Sequence, residues 1–266
     1  MAAVTQVQIR AGTAGRKGGR TERGDRWWLS PLGTAVFLGG LSAYALWAGL
    51  QTSDFAVGSY VSPLFSPCLA ADCGTHATVV LVGRWWRVSP ALLVIAVPIG
   101  VRATCYYYRK LYYRSFWLSP PACAVGEPRR TQSGESRFPL VLQNAHRYLW
   151  ALGVLVAVML SADAVDAFRQ PGGIGVGVGT GLIVVNGVAF WAYLLGCHAC
   201  RHLVGGGSRS LAAHPLRRRL WSRVSRLNAL HGQFALLSLP LVMATDAYVR
   251  LVASGVIADP HVTLWG

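Results

Sequence analysis

The chain has 266 residues, 53% of them hydrophobic and only 13% charged, with a formal net charge of +15. A water-soluble domain carries about a quarter charged residues, so that class is excluded, and basic residues scattered between apolar blocks exclude a nucleic-acid-binding face. The blocks run close to the ~20 residues that cross a hydrocarbon core of about 30 Å, which makes the chain an all-α polytopic membrane protein.

In chain order, residues 1–31 form an Arg-rich segment. Its Gly, Arg and Thr content up to Arg26 predicts disorder or a partner-bound state, and Trp27 and Trp28 then anchor the membrane interface. Residues 32–255 read as a membrane domain of five spans, at 32–50, 88–108, 138–164, 181–204 and 229–254, and residues 256–266 as a short tail. The first span follows a long polar segment and lacks a small-residue cleavage pattern, so it is not a signal peptide.

Lys and Arg set the orientation. Six precede the first span, six lie between the second and third, and seven between the fourth and fifth; the opposite side holds two, one and, at the end of the fifth span, Arg250. The positive-inside rule then puts the N-terminus in the cytoplasm and the C-terminus outside. Cys68 and Cys73, in "SPCLAADCG", fall in an outer loop where a disulfide can persist. Cys105, Cys123, Cys197 and Cys200 fall near the cytoplasmic side, where packing or metal binding must account for them.

The histidines share that depth. His146 opens the third span, His231 the fifth, and His198 and His202 end the fourth within "CHACRH". With successive spans alternating in direction, all four lie about a third of the way in from the cytoplasm. Any one of them alone reads as a hydrogen-bonding histidine between helices. Together with the cysteines, in a layer where ionisable groups are costly, they read as a metal centre.

Two b-type haems need four axial histidines at two depths, and the outer halves of the spans contain none. One haem between His146 and His231 fits the sequence but leaves the cysteines unused. A closed structural zinc site would be unusual inside a bilayer bundle. A Rieske-type [2Fe–2S] cluster, with two thiolates on one iron and two imidazoles on the other, uses both residue types, and its raised potential suits delivery of electrons to a quinone. At 100° per residue, Cys197, Cys200 and Arg201 share one face of the fourth span, and His198 and His202 another. One ligand set therefore takes Cys197, Cys200, His146 and His231. Its rival takes His198 and His202 with Cys123 and either Cys105 or Cys200. The same layer offers Arg114, Trp117, Arg147 and Tyr148 as hydrogen-bond donors to a quinone headgroup, against the plainer reading of an interfacial aromatic belt with snorkelling arginines. Arg102 lies deeper in the second span. At the outer ends, Asp163, Asp166 and Arg169 close the third span, and Asp246 and Arg250 the fifth. Between the fourth and fifth spans, "HPLRRRLWSRVSR" reads as a basic amphipathic segment on the inner surface, against lipid headgroups or a partner.

The stretches "CYYYRKLYYRSFWLSPPACAVGEP", "FPLVLQNAHRYLW", "CHACRH" and "RLNALHGQFALLSL" together resemble the single-chain, cytochrome b-like membrane anchor (C subunit) of the actinobacterial, notably mycobacterial, type of succinate dehydrogenase, respiratory complex II. The resemblance runs from about Trp27 to Ser254. It implies a bacterial plasma-membrane complex with a flavoprotein subunit that oxidises succinate and an iron–sulfur subunit that carries electrons to the membrane. It further implies five helices, a menaquinone site, no haem pair, and a Rieske-type cluster within the membrane. The positions that match the Cys- and His-bearing stretches are Cys123, His146, Cys197, His198, Cys200, His202 and His231. A heterotrimer, alone or in a higher oligomer, is the expected assembly. Two other classes stay open: a haem b-bearing subunit of another quinone-linked oxidoreductase, and a structural or metal-handling membrane protein without redox function.

Overall fold

The structure is a computed structural model and describes residues 21–51, 53–66, 79–80, 87–128, 136–138, 140–170, 172–206, 208 and 210–265. Cys68 and Cys73, and with them the expected disulfide, lie outside the described residues. The chain divides into two compact units, one of Met1–Ala35 with Leu111–Gln132, the other of Val36–Lys110 with Ser133–Gly266. Eight α-helices are described: α1 Leu29–Leu50, α2 Pro90–Thr104, α3 Tyr106–Phe116, α4 His146–Asp166, α5 Val178–Leu195, α6 His198–Gly205, α7 Pro215–Ala229 and α8 His231–Ala253.

In the smaller unit the N-terminal stretch is tied to the loop after α3. Thr21 Oγ1 donates to the Ala124 carbonyl at 2.9 Å and Arg23 Nη1 to the Cys123 carbonyl at 2.9 Å. Arg114 Nε turns back to the Pro121 carbonyl at 3.1 Å, and Trp117 packs against Tyr112 and Tyr113.

The larger unit is a helix bundle centred on α5. Its buried positions (Thr180, Ile183, Asn186, Gly187, Phe190, Tyr193 and Leu194) recur at helical spacing, and they pack α5 between α4 and α8, while α2 lies on α4. Gly153 makes that close approach possible: a Cβ there would stand 3.1 Å from Val101 and 3.2 Å from Leu194. At one end, Phe55 and Phe65 stack at 4.3 Å beside the buried Ala45, Ala48, Ile95 and Met243. Four helical stretches, 29–50, 140–166, 178–195 and 231–253, are long and apolar enough to cross a membrane.

Three departures from the sequence reading matter. The second expected span is helical only to Thr104, becomes extended at Cys105 (φ −72°, ψ 131°), and resumes as α3, where Tyr, Arg and Lys replace the apolar run. The fourth expected span breaks at Gly196–Cys197: the Leu227 carbonyl would stand 3.0 Å from any Cβ at Gly196, and Asn228 Nδ2 donates to the Gly196 carbonyl at 2.8 Å, taking the acceptor that a continuing helix would use. Short strands β1 (Ala56–Val57) and β2 (Tyr60–Val61) pair with each other, as do β3 (Val79–Val80) and β4 (Arg87–Val88), and the tail also does more than trail. β5 (Arg169–Gln170), β6 (Gly173–Gly177) and β7 (His261–Trp265) form an antiparallel sheet in the order β5-β6-β7, so the chain is not purely α.

Candidate metal centre

Four of the helix breaks in the larger unit carry the chemistry. Cys105 is the joint between α2 and α3, and Cys197 is the N-cap of α6. His146 is the first residue of α4, where a 3-10 turn, Leu140–Ala145, gives way to the α-helix. His231 is the first residue of α8, after Leu230 has ended α7. Residues at such joints are not confined to one helical face, and all four line a single cavity of about 460 Å³ together with Thr104, Tyr106, Tyr107, Arg109, Gln143, His198 and Asn228.

The four side chains approach in pairs. His146 Nε2 lies 3.1 Å from Cys197 Sγ, and His231 Nε2 lies 3.5 Å from Cys105 Sγ. Each ring is held from behind. Thr104 Oγ1 is 2.9 Å from His146 Nδ1, the kind of outer contact that fixes the orientation of a ligating imidazole. Tyr193 stacks on His231 at 4.9 Å with 8° between planes, and Tyr107 meets the same ring edge-on at 5.2 Å. Among the described residues no hydrogen bond of normal geometry reaches the buried His231 Nδ1. The backbone is pinned as well: Trp150 Nε1 donates to the Leu194 carbonyl at 2.9 Å, and the Ala199 N–H points at Cys197 Sγ at 3.4 Å.

The other expected site residues are placed differently. His198 lines the cavity but is exposed, at its mouth. Cys200 is buried on α6, outside the lining, because the helix break at Cys197 removes the shared face that an unbroken span would give the two cysteines. His202 is exposed in the last turn of α6. Arg147 and Tyr148 also face outward, the guanidinium lying 5.1 Å from its neighbour's ring centroid. Cys123, Arg114 and Trp117 belong to the smaller unit, where Cys123 and Trp117 are exposed. Thr104 and Tyr193 were not singled out from the sequence. A lone threonine or tyrosine in an apolar run carries no mark of what it supports.

Among the described residues no three His, Cys, Asp or Glu side chains gather closely enough to hold one metal ion. Two thiols and two imidazoles line one cavity, the donor composition of a centre that divides its ligands between two metal atoms.

No curated protein matches this chain. Among solved structures, a chain of the Mycobacterium smegmatis Sdh1 complex in the apo form is similar, with 39% identity over 94% of this chain and 96% of that one and a TM-score of 0.82. The family model for the actinobacterial succinate dehydrogenase subunit SdhC matches residues 29–255. A match over that span, with a similar structure at that identity, places the chain in the family of actinobacterial succinate dehydrogenase SdhC subunits.

Proposed function

We propose that this chain anchors the flavoprotein and iron–sulfur subunits of succinate dehydrogenase to the bacterial plasma membrane and holds a Rieske-type [2Fe–2S] centre through Cys105, Cys197, His146 and His231, from which menaquinone is reduced. As a succinate dehydrogenase subunit it belongs to an enzyme whose succinate-oxidising chemistry resides in a partner chain. The carrying observation is the convergence of these two cysteines and two histidines, each at a helix joint, on one cavity. Compared with the first ligand set read from the sequence, Cys105 takes the place of Cys200; the rival set already offered Cys105, but with His198, His202 and Cys123. When bound, such a cluster accepts and donates single electrons at a higher potential than an all-thiolate cluster.

The chain's own groups do the rest. Thr104 and Tyr193 hold the two imidazoles. The apolar bundle on one side of the layer excludes water, and exposed His198 at the cavity mouth is placed to pass protons from the side that the Lys/Arg distribution marks as cytoplasmic. Reducing one quinone to quinol takes two electrons, supplied by oxidation of one succinate, and two protons. Arg147 and Tyr148, exposed beside His146, remain candidates to receive a lipid-soluble headgroup, as do Arg114 and Trp117 in the smaller unit.

The test is low-temperature EPR of the dithionite-reduced complex, with iron content and optical absorption on the same sample. Alanine at Cys105, Cys197, His146 or His231 should abolish a low-average-g Rieske-like signal and quinone reduction, yet spare succinate oxidation by an artificial soluble acceptor. Alanine at Cys200 or Cys123 should spare the signal. Haem bands that disappear with His146→Ala or His231→Ala, in a complex without that signal, would sink the proposal and make those histidines axial ligands.

A further inference from the structure

Arg102 sits on α2, one turn before Cys105. Its guanidinium stands over two aromatic rings, Phe190 and Tyr193, at 5.5 Å from each centroid. Nη1 donates to the Pro98 carbonyl at 3.3 Å and Nη2 to Ser238 Oγ at 3.2 Å, while Nε is buried and without a partner among the described residues. Among the described residues no carboxylate pairs with it; the ion pairs are Arg23–Asp25, Arg169–Asp166 and Arg250–Asp246. The apolar cavity beside it, walled by residues such as Val94, Ile95 and Leu160, has one other polar side chain, that of Asn186, which is neutral.

A guanidinium keeps its proton at any physiological pH. A full positive charge thus stands inside the bundle among neutral dipoles and ring faces, an arrangement that is costly unless something nearby becomes negative. The Cys/His layer is what lies next to it. Cys105 follows by one turn, and the Tyr193 ring that Arg102 overlies is the one stacked on His231.

We propose that Arg102 is the counter-charge of the iron–sulfur centre and raises its reduction potential, an inference that rests on reading the layer as a Rieske-type site. Two ferric ions, two sulfides, two thiolates and two neutral imidazoles sum to zero charge. One added electron leaves the centre at minus one, with no proton needed for balance. A fixed cation stabilises that reduced form over the oxidised one, and weak screening inside the bundle enlarges the effect. Arg102 is a positioning residue in this scheme; it touches neither cluster nor quinone.

The experiment is a redox titration of the purified complex followed by EPR, comparing wild type with Arg102→Gln, Arg102→Lys and Ser238→Asp. Gln removes the charge, and Asp at the position of Nη2's partner neutralises it in place, so the test survives if one variant fails to assemble. At the wild-type midpoint, both should lower the ratio of reduced to oxidised centre by about tenfold or more, which is about 59 mV for a one-electron couple. Arg102→Lys should stay near wild type, and the g-values should persist in all, because the ligands remain. An intact signal with an unmoved midpoint in either neutralised variant overturns the role of Arg102 and leaves the centre standing. A wild-type complex with no Rieske-like signal overturns both.

Discussion

Replacing Asp246 should strongly destabilise the protein. Asp246 is fully buried, and its Arg250 partner has a side chain only 9% exposed, with Nε to Oδ2 at 2.9 Å. Surface screening therefore does not discount the pair. The same carboxylate accepts from Tyr44 Oη at 2.6 Å and from Ser62 Oγ, while Arg250 also donates to the Ser53 and Ala48 carbonyls at 3.1 and 2.9 Å. One carboxylate thus ties α8 to α1 and to the loop around Ser62. Asp246→Leu leaves a buried guanidinium without its anion, a loss of about 3–5 kcal/mol, and orphans two hydroxyls, which pushes the value toward the upper end. At about 2–4 °C per kcal/mol for a chain of this size, thermal unfolding of the detergent-solubilised complex should move down by roughly 6–20 °C. The double variant Asp246→Leu with Arg250→Met should recover most of that, since two well-packed apolar groups commonly replace a buried pair at little net cost. A single variant within about 1 kcal/mol of wild type, or a double variant as unstable as the single, would refute the account of Arg250 as a stranded charge.

Gly153→Val should cost about 1–3 kcal/mol, because the added methyls meet Val101 and Leu194, whose Cγ2 and Cδ2 already lie 3.1 and 3.2 Å from an ideal Cβ there; a lower unfolding temperature and a weakened EPR signal should appear together, as α2 and α5 carry Cys105 and Cys197 at their ends. Asn228→Ala removes the 2.8 Å bond to the Gly196 carbonyl and should lower stability by about 1 kcal/mol, with iron content per complex falling further than that loss alone implies. Burial acts to raise the Asp259 carboxyl, but hydrogen bonds from Tyr248, the Gly179 N–H and Tyr60 outweigh it and hold the group below the usual carboxylate range. Its contribution is therefore fully present above the ordinary carboxylate pKa of about 3.9 and is lost as pH falls through the lower folded value. Hydrogen exchange at β6 and β7 should accelerate on acidification through that window, and Asp259→Asn should flatten the dependence.

The spans were legible because about 20 apolar residues in a row have few other uses, and four of the five reappear as helices of spanning length. The depth shared by His146, Cys197 and His231 was legible for the same reason: span ends fix depth. Side-chain direction was not. Treating the fourth span as one unbroken helix paired Cys197 with Cys200, whereas the close approach of Leu227 at Gly196 and the Asn228 side chain stop the helix between Leu195 and His198. Those partners lie some 30 residues away in sequence, beyond the reach of periodicity. The place of Cys105 on the cavity was hidden for the mirror reason, since reading the second span through Tyr108 as one helix passed over the joint at Cys105. The sheet of β5–β7 escaped because β6 is built from "GIGVG", where glycines occupy the buried face and Ile174 and Val176 the exposed one, the reverse of the pattern that marks a strand.

The joints themselves explain how two cysteines and two histidines come to line one cavity in so apolar a bundle. Within an uninterrupted membrane helix every backbone group is satisfied and every side chain is committed to a face. At a joint, the first N–H groups of the next helix are unsatisfied and its positive dipole end is exposed. α6 and α8 begin at or directly after a candidate ligand, Cys197 and His231, whereas α4 continues from the 3-10 turn that leads into it. The Ala199 N–H aimed at Cys197 Sγ is one such contact already formed. Moving Cys197 by one residue into α5 or α6 would keep the thiol at nearly the same depth yet forfeit that donor and the freedom to face His146. A variant with Cys197→Ala and His198→Cys, at an exposed position that takes a side chain already, should therefore fail to restore the EPR signal. Restoration would mean that depth alone, and not the joint, places the ligand.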